Sequence, residues 1–258
     1  MSLIHETALV DPAAKLADDV EVGAFSIIGP KVTIGEGSRI GPHVVVTGRT
    51  TIGKNTRIFQ FASIGEEPQD KKYAGEDTEL IIGDNNTIRE LCTFSRGTIQ
   101  GGGKTIIGNN NWIMACVHIA HDCILGDNII MANNASLAGH VTVGDWAILS
   151  GYSLIHQFCN VGEHSFTSFA SHVNQSIPPY VTVSGEKARA KGVNTEGLKR
   201  RGYTTEQVQQ VRRAYKVLYR SGLRLEEARE KLEEMAEGHE EIRPWIEFLD
   251  TTQKSFIR

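Results

Sequence analysis

The sequence predicts a mainly β protein: a parallel β-helix built of six-residue sides, with a small α-helical domain at its C-terminal end. Three observations carry this. A branched aliphatic recurs every sixth residue, at Ile4, Val10, Leu16, Val22, Ile28, Ile34, Ile40, Val46, Ile52, Ile58 and Ile64. Glycine commonly follows it, as at Gly23, Gly29, Gly35, Gly41, Gly53 and Gly65. Beyond Pro178-Pro179 the period changes to that of an amphipathic helix. A six-residue beat is neither the 3.6 period of a helix nor the 2.0 period of a strand, so it belongs to a larger unit. If six residues form one side of a triangular coil, the aliphatic points to the coil axis. The small residue after it then lets the chain turn where a side chain would crowd or φ is positive. Three sides make a coil of about eighteen residues, and coils stack as parallel strands ~4.8 Å apart. A sandwich of short strands would instead give turn signals every eight to twelve residues and simple alternation.

The coil is expected over residues 1–184. The beat resumes at Ile82, Ile88 and Phe94, shifts by one residue around Gly101-Gly102-Gly103, and continues from Ile107 through Ile113, Ile119, Leu125, Met131, Leu137, Val143, Leu149 and Ile155 to Val161. Two segments leave it: residues 66–79, polar with one Pro and one Gly, and the glycine-rich residues 97–104. Long excursions from a rigid solenoid cost stability, which makes both candidate walls of a site. The repeat fades near Val173, and the Pro pair stops it. Residues 185–258 read as a linker and a helical domain, with 185–202 the basic, glycine-containing linker. Thr204, Thr205, Glu206 and Gln207 predict a helix start, Val208, Val211, Tyr215 and Leu218 share a face, and Gly222 ends the helix. Leu225, Ala228, Leu232 and Met235 predict a second helix before Gly238, and Trp245, Ile246, Phe248 and Leu249 a third after Pro244.

With 258 residues, 40% apolar and 22% charged, the chain has an ordinary globular composition and can form one large domain plus a small one. No apolar run approaches the roughly eighteen residues that cross a membrane. The first residues, Met1-Ser2-Leu3-Ile4-His5-Glu6, lack the features of a signal peptide. A cytoplasmic protein without stable membrane insertion is expected. Cys92, Cys116, Cys123 and Cys159 form no CxxC pair and predict free, mostly buried thiols. The net charge of −4 speaks against a nucleic-acid partner.

Six of the nine histidines, His118, His121, His140, His156, His164 and His172, fall within three coils. Eighteen-residue stacking sets His121 under Gly139, Gly139 under Gln157, and Asp122 under His140. That juxtaposition suits a histidine general base, a carboxylate to orient it, and a glycine amide one coil away that donates to an oxyanion. A single surface histidine on a solenoid is usually inert, but His118-Ile119-Ala120-His121-Asp122 concentrates the chemistry. A zinc site of three histidines across an interface is the rival reading. No metal and no cofactor are expected.

Several blocks closely resemble the UDP-N-acetylglucosamine acyltransferases that begin lipid A biosynthesis: His118-Ile-Ala-His-Asp-Cys, Asn133-Asn-Ala-Ser-Leu-Ala-Gly-His140, Ile155-His-Gln-Phe-Cys159, Pro178-Pro-Tyr-Val and Gly192-Val-Asn-Thr-Glu-Gly-Leu-Lys-Arg-Arg-Gly202. The resemblance spans essentially the whole chain. It implies a left-handed coil, an exception to the right-handed crossover rule, and a homotrimer with sites between neighbouring coils. It also implies transfer of a 3-hydroxyacyl group from acyl carrier protein to the 3-hydroxyl of UDP-N-acetylglucosamine. His121 would match the general base, Asp122 its support and Gly139 the oxyanion donor. Asp70, Lys72 and His118 would match sugar contacts, and His140, His156 and Gln157 further substrate contacts. Asn194, Glu196, Arg200 and Arg201 would match the nucleotide end, where an arginine pair suits a pyrophosphate. The acidic carrier protein needs a basic surface, which Lys187, Arg189, Lys191, Arg212, Arg213, Lys216, Arg220 and Arg224 offer.

Three positions depart from the family pattern. Ser95 stands where a histidine is usual and Glu186 where asparagine is, which keeps open a variant paralogue that uses an amino-substituted sugar or is weakly active. A non-catalytic trimeric scaffold is a further alternative, against which His121, Asp122 and Gly139 speak. Phe169 stands where the acyl groove normally has a small residue or Met. It shares a column with Ala115, Asn133 and Gly151, and as an acyl-chain ruler would favour shorter chains than glycine.

Overall fold

The computed structural model describes residues 3–252 and 255–258. The chain winds as a left-handed parallel β-helix, visiting three flat sheets in turn. Sheet 1 begins with Leu9–Val10, sheet 2 with Lys15–Leu16 and sheet 3 with Glu21–Val22. Each strand pairs with the strand one coil away: Leu9–Val10 with Ile27–Ile28, and that with Val45–Val46. The aliphatics of the six-residue beat line the axis and are almost all fully buried, from Val22 through Val161. Ile4 is exposed and Val10 and Leu16 are only partly covered, since among the described residues the first coil ends the stack.

Glycine follows the aliphatic mainly because of crowding. A Cβ on Gly23, Gly35, Gly41 or Gly53 would come within 3 Å of the backbone of the next coil, whereas Gly65 has a positive φ, +79°. The left-handed conformation falls two residues after the crowded glycine, on Phe25, Gly37, His43 and Asn55. Every edge of the prism carries a column of such residues. The edge between sheets 1 and 2 has Asp122, His140 and Phe158; that between sheets 2 and 3 has Asn128, Trp146, His164 and Tyr180; that between sheets 3 and 1 has Cys116, Asn134, Tyr152 and Ala170.

Two excursions lengthen the coil. Arg49 pairs with Glu79, 79 − 49 = 30 residues on, twelve more than a plain coil, and the extra chain is the loop after Ser63–Glu66. Glu79 pairs with Lys104, 104 − 79 = 25 residues on, one six-residue side plus one residue in excess, which is the observed phase shift. Cys92, Cys123 and Cys159 are buried and Cys116 is exposed, and none of the four is joined in a disulfide among the described residues.

In the tail, Thr204 caps a helix over Thr205–Arg220 through a reciprocal capping box with Gln207. Helices Leu225–Ala236 and Arg243–Thr251 follow as expected. The stretch 185–202 is not a linker. Arg189–Val193 turns back antiparallel on Val181–Ser184 to extend sheet 3, and Thr195–Arg200 forms a short helix capped by Asn194. That helix is six residues long with one buried side chain, Leu198, so no periodic pattern announces it. Ser176 bridges to Phe256, which returns the C-terminal residues to the coil.

Candidate active site

The site is built on the edge between sheets 1 and 2. His121 follows the strand His118–Ile119, and Asp122 turns the corner with φ +60°. His121 Nδ1 lies 2.7 Å from Asp122 Oδ2. The Asp122 side chain is 1% exposed. Its Oδ2 also accepts from Thr98 Oγ1 at 2.6 Å, and its Oδ1 from the Thr98 amide at 2.7 Å. Burial pushes this carboxyl up, but the hydrogen bonds from His121 and Thr98, with His140 nearby, win and hold it below its ordinary value. Asp122 is therefore an ionised, fully engaged acceptor at neutral pH.

Gly139 lies directly over the imidazole. A Cβ there would come within 2.6 Å of His121 Cε1, so only glycine fits. The His140 amide donates to the His121 carbonyl at 3.0 Å, which fixes the stacking of the two coils. The Gly139 amide has no acceptor among the described residues. His140 presents its edge to His121 at 5.1 Å, stacks on Phe158 at 4.5 Å, and has Nε2 3.8 Å from Asp122 Oδ2. Burial lowers its pKa despite the carboxylate.

The structure brings His121, Asp122, Gly139 and His140 together, with His156 and Gln157 exposed one coil further along the same edge. Asp70, on the long loop, is close enough to His140 to act on its charge, and accepts from the Lys72 amide at 3.0 Å. His118 faces outward from sheet 1 beside Thr93, Nδ1 to Oγ1 2.8 Å. The other expected residues lie elsewhere. Asn194, Glu196, Arg200 and Arg201 line a cleft of about 520 Å³ over sheet 3, with Trp146, Ile148 and Phe166 on its floor. Gly151 and Phe169 stand by the third edge, where Phe169 is 69% exposed, meets Tyr152 edge-on at 5.6 Å and covers Gly151. One chain thus carries the three residue sets in three different places: the edge between sheets 1 and 2, the face of sheet 3, and the edge between sheets 3 and 1.

Comparison with known proteins gives the family. Residues 177–257 match the family described as UDP-N-acetylglucosamine O-acyltransferase, domain 2, and residues 13–48 and 104–139 match the bacterial transferase hexapeptide. Relatives named acyl-[acyl-carrier-protein]–UDP-N-acetylglucosamine O-acyltransferase include one from Thiobacillus denitrificans, 59% identical, and one from Herminiimonas arsenicoxydans, 57% identical, each covering 100% of both chains. The chain belongs to the UDP-N-acetylglucosamine O-acyltransferase family. Among solved family structures, that from Acinetobacter baumannii is 47% identical with a TM-score of 0.97, covering 99% of this chain and 100% of its own. That from Francisella novicida is 44% identical with a TM-score of 0.97, covering 99% and 94%.

Sequence reasoning missed Thr98 and Gly101, although it marked their loop. Thr98 makes two hydrogen bonds to Asp122, and a Cβ on Gly101 would overlap the Asp122 carboxyl at 2.0 Å. Glycine at 101 was the available signal. The ligand atoms of His121, Asp122 and His140 lie within 4.8 Å of one another. A cation there would compete with the donors that already engage both Asp122 oxygens, so the cluster is described as a hydrogen-bonded group. Among the described residues no helix is long and apolar enough to cross a membrane.

Proposed function

We propose that this protein transfers a 3-hydroxyacyl group from acyl carrier protein to the 3-hydroxyl of the glucosamine ring of UDP-N-acetylglucosamine, in the cytoplasm, as the first step of lipid A biosynthesis. The observation that carries the reading is the His121–Asp122 pair with the Gly139 amide one coil above the ring. Ionised Asp122 accepts from Nδ1–H of His121, which leaves the Nε2 lone pair for the substrate. Nε2 takes the proton of the sugar hydroxyl as its oxygen attacks the thioester carbon. Charge then develops on the former carbonyl oxygen, and Gly139 N–H donates to it. Collapse breaks the C–S bond, and the imidazolium returns its proton to the leaving thiolate. General-base and oxyanion assistance are worth roughly 10²–10⁴ and 10²–10³ in rate respectively.

Asp70, Lys72 and His118 are assigned to the sugar, and His140, His156 and Gln157 to further substrate contacts. The cleft with Asn194, Glu196, Arg200 and Arg201 takes the nucleotide. Because these sets occupy different places, a homotrimer in which one copy's base edge faces its neighbour's cleft is the assembly that completes the site. Phe169 closes the acyl groove in that assembly. The acidic carrier meets the basic concavity of about 550 Å³ that Lys187, Arg189, Arg220 and Arg258 line. The names of the full-length relatives do not favour an amino-substituted sugar, although Ser95, buried, and Glu186, exposed in a turn, depart from the family pattern.

The test is a mass-spectrometric product assay with UDP-N-acetylglucosamine and a panel of 3-hydroxyacyl carrier proteins. A mono-acylated sugar nucleotide that His121→Ala nearly abolishes supports the reading. No product from wild type with any donor sinks it.

A further inference from the structure

We infer that His164 is a positioning residue that aims the Arg201 guanidinium into the cleft over sheet 3. The inference rests on the reading of that cleft as the nucleotide end. His164 turns the edge between sheets 2 and 3 and is 7% exposed. Its ring is stacked between Trp146, 6.2 Å away and 3° from parallel, and Tyr180, 5.5 Å and 14°. Arg201 Nη1 lies 3.0 Å from its Nδ1. A guanidinium can only donate, so Nδ1 is the acceptor, and the neutral ring carries its proton on Nε2, 3.2 Å from the Tyr203 hydroxyl. The Arg201 Cζ also sits 5.3 Å from the centre of the Trp146 ring. One N–H and one face of the guanidinium are thereby used, and its other N–H groups have no partner among the described residues. The same histidine's carbonyl accepts from Asn194 Nδ2 at 3.0 Å, and Asn194 caps the helix that forms the cleft's other wall. A guanidinium held in advance gives up less freedom when an anion arrives.

The experiment is calorimetric titration of the full-length protein with UDP. His164→Phe keeps the ring stack and loses the acceptor. His164→Asn keeps an acceptor near the Nδ1 position and tolerates the positive φ. His164→Phe is expected to weaken UDP binding by about tenfold or more and to raise KM for the sugar nucleotide, with kcat changed by less than about threefold. His164→Asn should stay within about threefold of wild type, and His164→Phe should add almost nothing in an Arg201→Ala background. His164→Phe binding UDP as wild type does, while Arg201→Ala binds weakly, overturns the positioning role alone. Arg201→Ala binding as tightly as wild type overturns the nucleotide reading and the inference with it. Should His164→Phe not fold, a crystal structure of wild type with UDP decides. Arg201 bonded to His164 and phosphate together supports the role, and a guanidinium that has left His164 overturns it.

Discussion

His140 and His164 occupy the same backbone slot on two edges of the prism, with φ +61° and +55°, and each ring stacks on an aromatic ring one coil away. Their chemistry differs through what faces them. Beside His140 is the Asp122 carboxylate, which favours an imidazolium and partly offsets the burial that lowers its pKa. Beside His164 is Arg201, which opposes a second positive charge, and burial and the guanidinium together hold its pKa down to about 4. Both rings are held below the ordinary histidine value, and on the proposed reading the edge with His121 handles a proton while the edge with His164 refuses one. The solenoid supplies interchangeable corners: burial lowers both histidines, and the facing charge offsets that at His140 and adds to it at His164.

The contrast breaks most severely at the proton-handling edge. His121→Ala is expected to lower kcat by about 10²–10⁴ while UDP affinity, which the proposed function assigns to the other edge, stays within about twofold. Steady-state kinetics beside calorimetry check this, and parallel losses in both would mean that the edges are not independent.

The refusing edge is tested by stability against pH. The unfolded His164 has an ordinary histidine pKa and the folded one about 4, so between those values the unfolded chain binds a proton that the native chain does not. Stability is therefore highest above the unfolded value and falls as pH drops towards 4, by roughly 3 kcal/mol for this residue. Glu163, whose Oε1 lies 4.0 Å from His164 Nε2, is pushed up by burial and acts with the opposite sign, so the difference between wild type and His164→Asn is the quantity to measure. Denaturant midpoints at pH 7 and 4.5 should show the variant losing less. Equal losses would show that His164 does not carry the acid sensitivity. Asp122, held below the ordinary carboxylate range, contributes its loss at lower pH still.

A smaller disturbance separates the Asp122 support from the base itself. Gly101→Ala would drive a methyl into the Asp122 carboxyl, and the resulting shift of the pair is expected to cost about 10² in kcat with His121 intact. A variant with wild-type kcat would show that the pair tolerates displacement.

How legible was this in advance? The axial aliphatics, both excursions and three of the helices follow from periodicity and capping, because each is a local pattern. Eighteen-residue stacking also brought His121, Asp122, Gly139 and His140 together, since no insertion separates them. The contact of Thr98 with Asp122 was hidden because the extra residues before Lys104 bend the loop back onto the edge, and no repeat arithmetic describes a loop. The Trp146, His164 and Arg201 cluster was hidden because it joins the coil to residues 185–202, which read as linker. Of the two reasons for the glycines, crowding acts at Gly23, Gly35, Gly41 and Gly53 and positive φ at Gly65, while most corner positions of positive φ carry side chains, among them Phe25, His43, Asn55, Asp122 and Trp146.

The third edge offers the gentlest test. His121 and Phe169 lie on different edges of the same chain, so Phe169 can limit an acyl chain only in a groove that a second copy completes. Its ring is exposed, rests on Gly151 and meets Tyr152, so it projects outward and does not fill the coil. Removing it should leave the chemistry and the core untouched. Phe169→Gly is therefore expected to keep kcat for the preferred donor within about threefold and to raise kcat/KM for donors several carbons longer by roughly tenfold, since each newly accommodated methylene is worth about 0.8 kcal/mol of burial. Donor profiling with the purified protein reads this directly. An unchanged preference would mean that the acyl chain never reaches this edge, and the groove would then have to run along the edge that carries His121.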